Sequence, residues 1–286
     1  MNLGFRIKFY FKKRMPELSV LKWDIKSIFY GYRKKKHVIG EPINLHGKQH
    51  IHIYPNIICN MNCYFCQNKF YVDKLPKFDW VSAVEWVSWL NRMYNFHHID
   101  INGGEPLYYG HIVQLLNTLY KHNIVLYTNL PKERIHILKE IHCKMSNIAF
   151  NVSYHPLDEK RDIAEFCEDY KKIPKHLNPS LHVINIPEIS YKNIRAAFVK
   201  RGVFIEVLDA IIPTEYNKIK ENFKTVMCKS DMDCIAPDLT VYLCTGLMLR
   251  KINGKHISEY KFSNQHELCN YYGLCGICTS QRDIKL

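Results

Sequence analysis

Between residues 49 and 208 the sequence alternates between segments patterned as β-strands and segments patterned as α-helices. The strand-like segments are short and apolar, and amphipathic stretches with a helical period separate them. We predict strands at 49–55, 98–102, 124–128, 148–153, 181–186 and 204–208. The intervening helices are predicted at 79–95, 111–121, 132–144, 158–170 and 191–201. Strands that alternate with helices pair in parallel through right-handed crossovers. Six such units, rather than eight, predict an α/β fold with an open, partial barrel.

Three cysteines follow the first predicted strand. Cys59, Cys63 and Cys66 have the spacing C-x3-C-x2-C. Thiolates are the usual ligands of iron–sulfur clusters, and three of them can hold a cubane cluster while leaving its fourth iron open. An open metal position can bind a substrate or a cofactor. The alternative is a zinc site with a fourth ligand elsewhere, but nothing nearby completes a paired C-x2-C site.

A second motif, Gly103-Gly104-Glu105-Pro106, follows the second predicted strand. Its glycines let the backbone approach a ligand where a Cβ would collide, and its carboxylate can face an ammonium group. The same residue types also form ordinary turns. In barrels of parallel strands, functional residues gather at the carboxyl ends of the strands. That rule adds Thr128 and Ser153 as candidates, although a local turn hydrogen bond would explain each equally well.

These two motifs resemble those of the radical S-adenosylmethionine (SAM) superfamily. The resemblance implies a partial (β/α)6 TIM-like barrel and a catalytic [4Fe–4S] cluster held by Cys59, Cys63 and Cys66. It also implies that the amino and carboxylate groups of SAM chelate the open iron. An electron from the cluster would then cleave SAM to methionine and a 5′-deoxyadenosyl radical, which abstracts hydrogen from a substrate.

The resemblance also implies roles for single residues around the cofactor. Phe65 stands where the family usually has an aromatic residue beside the adenine, and the Gly103–Glu105 turn corresponds to the motif for the SAM amino group. Thr128 begins a turn similar to the family's Thr-Asn-Gly turn, but Leu130 replaces the glycine. Ser153 stands where the family often places a contact to the ribose or the carboxylate.

Six further cysteines lie near the C-terminus, which predicts a second metal centre. They are Cys228, Cys234, Cys244, Cys269, Cys275 and Cys278. Their arrangement resembles the SPASM and Twitch domains, which add auxiliary [4Fe–4S] clusters to radical SAM enzymes. By this resemblance the first three begin one auxiliary site, which Cys278 or Cys275 completes. His266 stands where the two-cluster pattern has a cysteine, so we expect one auxiliary cluster. Four thiolates would also satisfy a structural zinc ion.

The composition favours a cellular location and a set of possible binding partners. The 11 cysteines come with no secretory signal and no apolar run long enough to cross a bilayer, which favours metal ligation in the cytoplasm over disulfides. Residues 1–50 contain 12 Lys or Arg against three acidic residues, and so carry +9 of the formal net charge of +13. Such a basic arm can bind an acidic peptide, nucleic acid or an anionic membrane surface, or can be a solvated tail.

We therefore predict a basic N-terminal extension (1–46), a radical SAM core (47–212) and a Cys-rich auxiliary domain (213–286). The predicted function is a cytoplasmic radical SAM enzyme that modifies a peptide or protein, with an electron donor such as flavodoxin or ferredoxin. One alternative is an enzyme of the same superfamily that oxidises or epimerises a small sugar-like molecule. Another is a non-enzymatic iron–sulfur or nucleic-acid-binding protein. We interpret Cys143 and Cys167 as core residues, and His50 and His52 as partners in ordinary hydrogen bonds.

Overall fold

A computed structural model of the protein describes residues 41–63, 66, 68, 75–119, 121–142, 147–185, 189–209, 224–228, 232–262 and 267–272. Most of the predicted basic extension lies outside these residues, as do Phe65, Cys143, Cys275 and Cys278. Among the described residues, no helix is long and apolar enough to cross a membrane.

Strands and helices alternate along the described chain. The strands are β1 (Ile43–Ile53), β2 (Met93–Ile101), β3 (Ile124–Thr128), β4 (Ile148–Tyr154), β5 (Pro179–Asn185), β6 (Glu206–Asp209), β7 (Lys224–Cys228), β8 (Met232–Ile235), β9 (Thr240–Tyr242), β10 (Lys255–His256) and β11 (Glu267–Tyr272). The α-helices are α1 (Ala83–Leu90), α2 (Ile112–Thr118), α3 (Ile163–Lys171), α4 (Tyr191–Val199) and α5 (Thr245–Arg250). Helical turns of the 3-10 type occupy Pro106–Tyr108, Lys132–Glu140 and Lys175–Leu177.

The main sheet has nine strands in the order β10-β9-β8-β1-β2-β3-β4-β5-β6. The strands β1 to β6 are neighbours in chain order and pair in parallel throughout. Among the strands that the structure describes, the sheet does not close, because β10 and β6 lie at its two ends. This mainly parallel, open α/β architecture confirms the predicted partial barrel. The carboxyl ends of β1 to β4 therefore meet at one edge of the sheet, where the sequence motifs begin.

The core lies between the sheet and its helices. Alternate residues of the strands, such as Ile51, Ile99 and Phe150, are completely buried in one apolar cluster with helix residues that include Trp86 and Phe198. Side chains on successive strand positions point to opposite faces, so the residues between these positions face the inside of the partial barrel. That inner face is where a substrate pocket would form.

The helix α1 is shorter than the helix predicted at residues 79–95. The Ser82 hydroxyl accepts a hydrogen bond from the Glu85 amide (3.3 Å), and the Glu85 carboxylate accepts one from the Ser82 amide (2.8 Å). This capping box satisfies backbone donors at the first turn and so fixes the start of the helix. The helix ends at Leu90 because the chain enters β2 at Met93.

Strands from the C-terminal part extend the barrel sheet beyond β1. The strand β8 pairs in parallel with β1, with Cys234 opposite His52, and β9 and β10 follow in antiparallel orientation. A second apolar cluster covers this part of the sheet and includes Tyr54, Ile57, Cys234 and Leu247. The strands β7 and β11 form a separate two-stranded sheet. The strands β8 to β10 thus share a continuous sheet with the barrel, and the boundary at residue 212 stays a prediction.

Candidate active site

The cysteine loop leaves the carboxyl end of β1 at the open edge of the sheet. The loop is partly wound on itself, since the Cys66 amide donates to the Cys63 carbonyl (3.2 Å) and the Met61 amide donates to the Cys59 sulfur (3.4 Å). Cys59 is exposed, Cys63 is buried and Cys66 is partly buried. Although Cys59 is exposed as a residue, partial desolvation of its sulfur raises the pKa of the thiol. Burial together with the nearby Asp158 carboxyl raises the pKa of Cys63. A metal ion would reverse this preference, because a coordinating thiol loses its proton.

The Gly103–Glu105 turn packs directly against the cysteine loop. The Glu105 amide donates to the Ile58 carbonyl (2.7 Å), and the Asn56 side-chain amide donates to the Glu105 carbonyl (3.0 Å). A Cβ on Gly103 would lie 2.3 Å from the Asn56 carbonyl oxygen, and one on Gly104 would lie 2.2 Å from that of Ile58. Gly103 also has a φ of +150°, a conformation that side chains disfavour. The glycines therefore allow two protein loops to touch, and the predicted approach of a ligand to this turn stays a prediction.

Glu105 is almost completely buried and is held by three hydrogen-bond donors. Its Oε1 accepts from the Leu107 amide (2.9 Å) and the Thr128 hydroxyl (2.7 Å), and its Oε2 accepts from the Asn129 amide (2.7 Å). Burial raises the pKa of Glu105 to about 7, against the lowering effect of these donors. The sequence-predicted Thr128 is thus brought to Glu105, and its hydroxyl orients that carboxylate.

The turn after β3 ties the third strand to the cysteine loop. The Asn129 side-chain amide lies 2.9 Å from Asn60 Oδ1 and 3.5 Å from the Cys59 sulfur. The next residue, Leu130, has a φ of +54°, in the left-handed region that favours glycine. Its side chain is completely buried in the core, and Arg161 donates to its carbonyl (2.8 Å). The backbone therefore adopts the conformation expected of a glycine turn, with burial of the leucine offsetting the strain.

Two histidines that were not predicted from sequence lie beside predicted site residues in the barrel interior. Ser153, on β4, has its hydroxyl 2.6 Å from Nε2 of His182 on β5. His155, just beyond β4, has Nδ1 3.6 Å from the Cys63 sulfur. Burial lowers the pKa of both imidazoles, that of His155 to about 4. The strand register places Ser153 opposite His182, and no local sequence pattern signals that pairing.

Two of the predicted auxiliary-site cysteines lie close to β1. Cys234 is completely buried in the second apolar cluster, with Cys244 packed against that cluster. The Cys234 sulfur lies 3.4 Å from the Thr245 hydroxyl, which also bonds the Tyr54 hydroxyl (2.8 Å). Tyr54 and the cysteine loop belong to the same continuous segment after β1.

The other described cysteines of the tail lie on the small sheet. Cys228 ends β7 and pairs with Glu267, whereas the buried Cys269 lies two positions along β11.

The model of the radical SAM superfamily matches residues 53–211, more than half of the chain, so the protein belongs to this superfamily. It is therefore an enzyme of the class that uses a [4Fe–4S] cluster and SAM. No curated protein matches the sequence.

One of three similar solved structures of SuiB from Streptococcus suis has a TM-score high enough to show a shared fold. SuiB bound to the precursor peptide SuiA has a TM-score of 0.53 at 15% identity, covering 85% of this chain and 68% of that chain. SuiB bound to S-adenosylmethionine has a TM-score of 0.41 at 15% identity, covering 85% of this chain and 67% of that chain. The structure described only as SuiB has a TM-score of 0.39 at 16% identity, covering 85% of this chain and 69% of that chain.

The chemistry of the site fits these cofactors. Three thiols lie on one short loop, and two glycines hold the turn with a buried carboxyl group against it. In addition, the buried Oδ1 atoms of Asn56 and Asn129 accept no hydrogen bond from the described residues. Polar atoms buried without partners are costly, so a polar ligand beside the loop would be favourable.

Proposed function

We propose that the protein is a radical SAM enzyme that modifies a peptide, with its catalytic cluster held by Cys59, Cys63 and Cys66. When bound, the cluster supplies the electron that cleaves SAM and generates the hydrogen-abstracting radical. The observation that carries the cofactor assignment is the direct packing of the Gly103–Glu105 turn on the cysteine loop. Because both loops lie at the carboxyl ends of adjacent parallel strands, one ligand can contact both.

Glu105 is the proposed partner of the SAM ammonium group. An ionised carboxylate accepts about four hydrogen bonds, and three protein donors leave one acceptor position open. The ammonium would also supply the positive charge that a buried carboxylate lacks. Phe65 and Ser153 remain proposed contacts to the adenine and to the ribose or carboxylate. The hydrogen bond between the Ser153 hydroxyl and His182 Nε2 indicates that His182 orients that hydroxyl.

A single auxiliary iron–sulfur cluster is proposed at the C-terminal cysteines, with Cys228, Cys234, Cys244 and either Cys278 or Cys275 as ligands. The position of Cys234 and Cys244 beside Tyr54 supports a redox role near the catalytic loop. Zinc has no redox chemistry, so a zinc ion there would only stabilise the fold or bind the substrate.

A peptide substrate is favoured over a small molecule because SuiB, which shares the fold, has been solved with a precursor peptide. The basic arm of residues 1–50 could attract an acidic leader segment through its charge. We propose a cytoplasmic location, with flavodoxin or ferredoxin as the electron donor.

The cofactor assignment is tested by replacing all three loop cysteines with alanine in the full-length protein. After anaerobic reconstitution, we expect the triple variant to lose reductive cleavage of SAM and the EPR signal of one cluster, while iron remains at the tail. Cys167→Ala is the matched control. This cysteine lies on α3 and is buried in the hydrophobic core, so its replacement should leave SAM cleavage intact. Cleavage that persists in the triple variant would refute the assignment.

The substrate assignment is tested separately, with the peptide encoded by a short reading frame next to the gene. The peptide should gain or lose mass in the presence of SAM and a reductant, and Cys244→Ala should stop this change while sparing SAM cleavage. An unmodified peptide, together with turnover of a sugar-like compound, would favour the alternative enzyme.

A further inference from the structure

Four polar side chains with metal-binding chemistry meet on the inner face of β1 and β2. His50 and His52 alternate with buried isoleucines on β1, and His98 and Asp100 do the same on β2. The parallel register pairs His50 with His98 and His52 with Asp100. The sequence interpretation assigned ordinary hydrogen bonds to His50 and His52, because the partners on β2 become neighbours only through this register.

The distances between His52, His98 and Asp100 are short, yet polar atoms of His52 and Asp100 are poorly satisfied. His52 Nε2 lies 3.5 Å from Asp100 Oδ2, and His98 Nε2 lies 3.4 Å from Asp100 Oδ1. These approaches are near the limit of a hydrogen bond, and neither His52 Nε2 nor Asp100 Oδ1 makes one within the described part of the chain. Ligand atoms of His50, His52 and Asp100 all lie within 4.8 Å of one another.

The chemistry of these side chains suits a cation. Imidazole nitrogens and carboxylate oxygens are ligands that divalent metal ions use in proteins. Asp100 is buried, so a cation bound beside it would satisfy a carboxyl group that is shielded from water.

We propose that His50, His52 and Asp100 bind one divalent transition-metal ion inside the partial barrel, distinct from the iron–sulfur sites. Two imidazoles and one carboxylate are a known donor set for Zn²⁺ and Fe²⁺, and they leave coordination positions open. Ligand atoms around one such ion are separated by roughly 3–4 Å, so the three side chains need to draw together by about 1 Å. The open positions face the barrel interior, where an oxygen or nitrogen atom of a substrate could complete the coordination.

Neighbouring side chains already support this geometry. The Asn102 side-chain amide lies 2.9 Å from His52 Nδ1, which fixes the ring and directs Nε2 towards Asp100. The atom facing Nδ1 is the amide nitrogen; rotating the amide by 180° presents its oxygen to Nδ1–H instead and leaves Nε2 free to bind the metal. His98 Nε2 lies 3.4 Å from the second oxygen of Asp100, and we assign His98 as a positioning residue for that carboxyl group. The His50 and His98 rings lie 5.3 Å apart, close enough for His98 to replace a ligand or to orient one.

The experiment uses the full-length protein with its iron–sulfur sites reconstituted anaerobically, so that the cysteines are occupied. Excess metal is removed, and Zn²⁺ is titrated as the probe because it binds such sites at least as tightly as Fe²⁺. We expect about one zinc per chain, with iron unchanged. X-ray absorption should show nitrogen and oxygen ligands at roughly 2.0–2.2 Å and no sulfur shell near 2.3 Å.

Variants test the named ligands. His52→Ala and Asp100→Asn should each weaken zinc binding by at least tenfold, and His98→Ala by about tenfold as an orienting residue. His97→Ala is the matched control, because this exposed neighbour on β2 should leave binding unchanged. Zinc bound only by sulfur, no zinc uptake, or equal uptake by the His52 and Asp100 variants would overturn the proposal. The X-ray absorption result on the unaltered protein stands even if a variant fails to fold.

Discussion

Replacing Gly104 by alanine should separate the two loops that build the proposed cofactor site. A Cβ at this position would lie 2.2 Å from the Ile58 carbonyl oxygen, 2.3 Å from its carbon and 2.6 Å from the Ile57 oxygen. All three are backbone atoms, so no side-chain rotation can relieve the overlap. An ordinary contact therefore requires the turn and the cysteine loop to move apart by about 1 Å.

The loss in free energy of unfolding can be calculated from the contacts that this movement changes. Overpacking in a well-packed region costs roughly 1–3 kcal/mol. The backbone hydrogen bond from Glu105 to Ile58 is 2.7 Å long and would lengthen or break, which adds about 1 kcal/mol. We expect the free energy of unfolding to fall by about 2–4 kcal/mol in total. Ile58 directly precedes Cys59, and a displacement of about 1 Å in a catalytic group can lower a rate by around 100-fold.

Urea denaturation of the metal-free protein measures the loss of unfolding free energy. SAM cleavage by the reconstituted enzyme measures the loss of catalytic rate. Gly110→Ala is the matched control, because no atom lies within 4 Å of its added Cβ. The control should change stability by less than about 0.5 kcal/mol. A Gly104→Ala protein with wild-type stability and wild-type SAM cleavage would refute the inference that the glycines serve loop–loop contact.

Three further substitutions probe the surroundings of this contact. Burial raises the pKa of Glu105 to about 7, so its stabilising contribution in the metal-free protein is full below pH 4.5 and falls as the pH rises to 7. Glu105→Gln should remove up to roughly 3 kcal/mol of that pH dependence in urea titrations. Leu130→Gly relieves a left-handed backbone but loses a buried side chain, for an expected net loss of about 1–3 kcal/mol by thermal or urea unfolding. Arg161→Met leaves Glu159 and Asp169 without their buried guanidinium partner and should cost about 3–5 kcal/mol near neutral pH.

The order of the strands was predictable from sequence because each signal is local. Apolar alternation marks a strand, and the parallel pairing of consecutive strands follows from the right-handed crossover rule. The segment at Ile124–Thr128 has the bounds that the sequence predicted. The cysteine spacing and the Gly-Gly-Glu-Pro turn are also local, so the superfamily could be recognised before any contact was known.

Features that depend on distant partners were missed or misassigned. The helix predicted at 79–95 included Trp80, but the capping box starts the helix at Ala83, and Trp80 is 47% exposed. The pairing of β8 with β1 joins segments far apart in sequence, and no periodicity encodes it. Leu130 also depends on distant partners. Burial of its side chain in the core offsets the strain of its left-handed backbone.

The end of β2 places several functions within six residues, so its register against β1 controls all of them. Asp100 faces the histidines on the inner face, Asn102 contacts His52, and the Gly103–Glu105 turn packs on the cysteine loop. A register shift of one residue would turn Asp100 towards the apolar core under the helices and Ile101 towards the inside of the barrel, because strand side chains alternate faces. Ile101 is completely buried beneath the helices, and its burial strongly opposes such a shift. The apolar side of this strand therefore fixes the geometry of the polar side, and through it the spacing between the proposed metal site and the proposed SAM site.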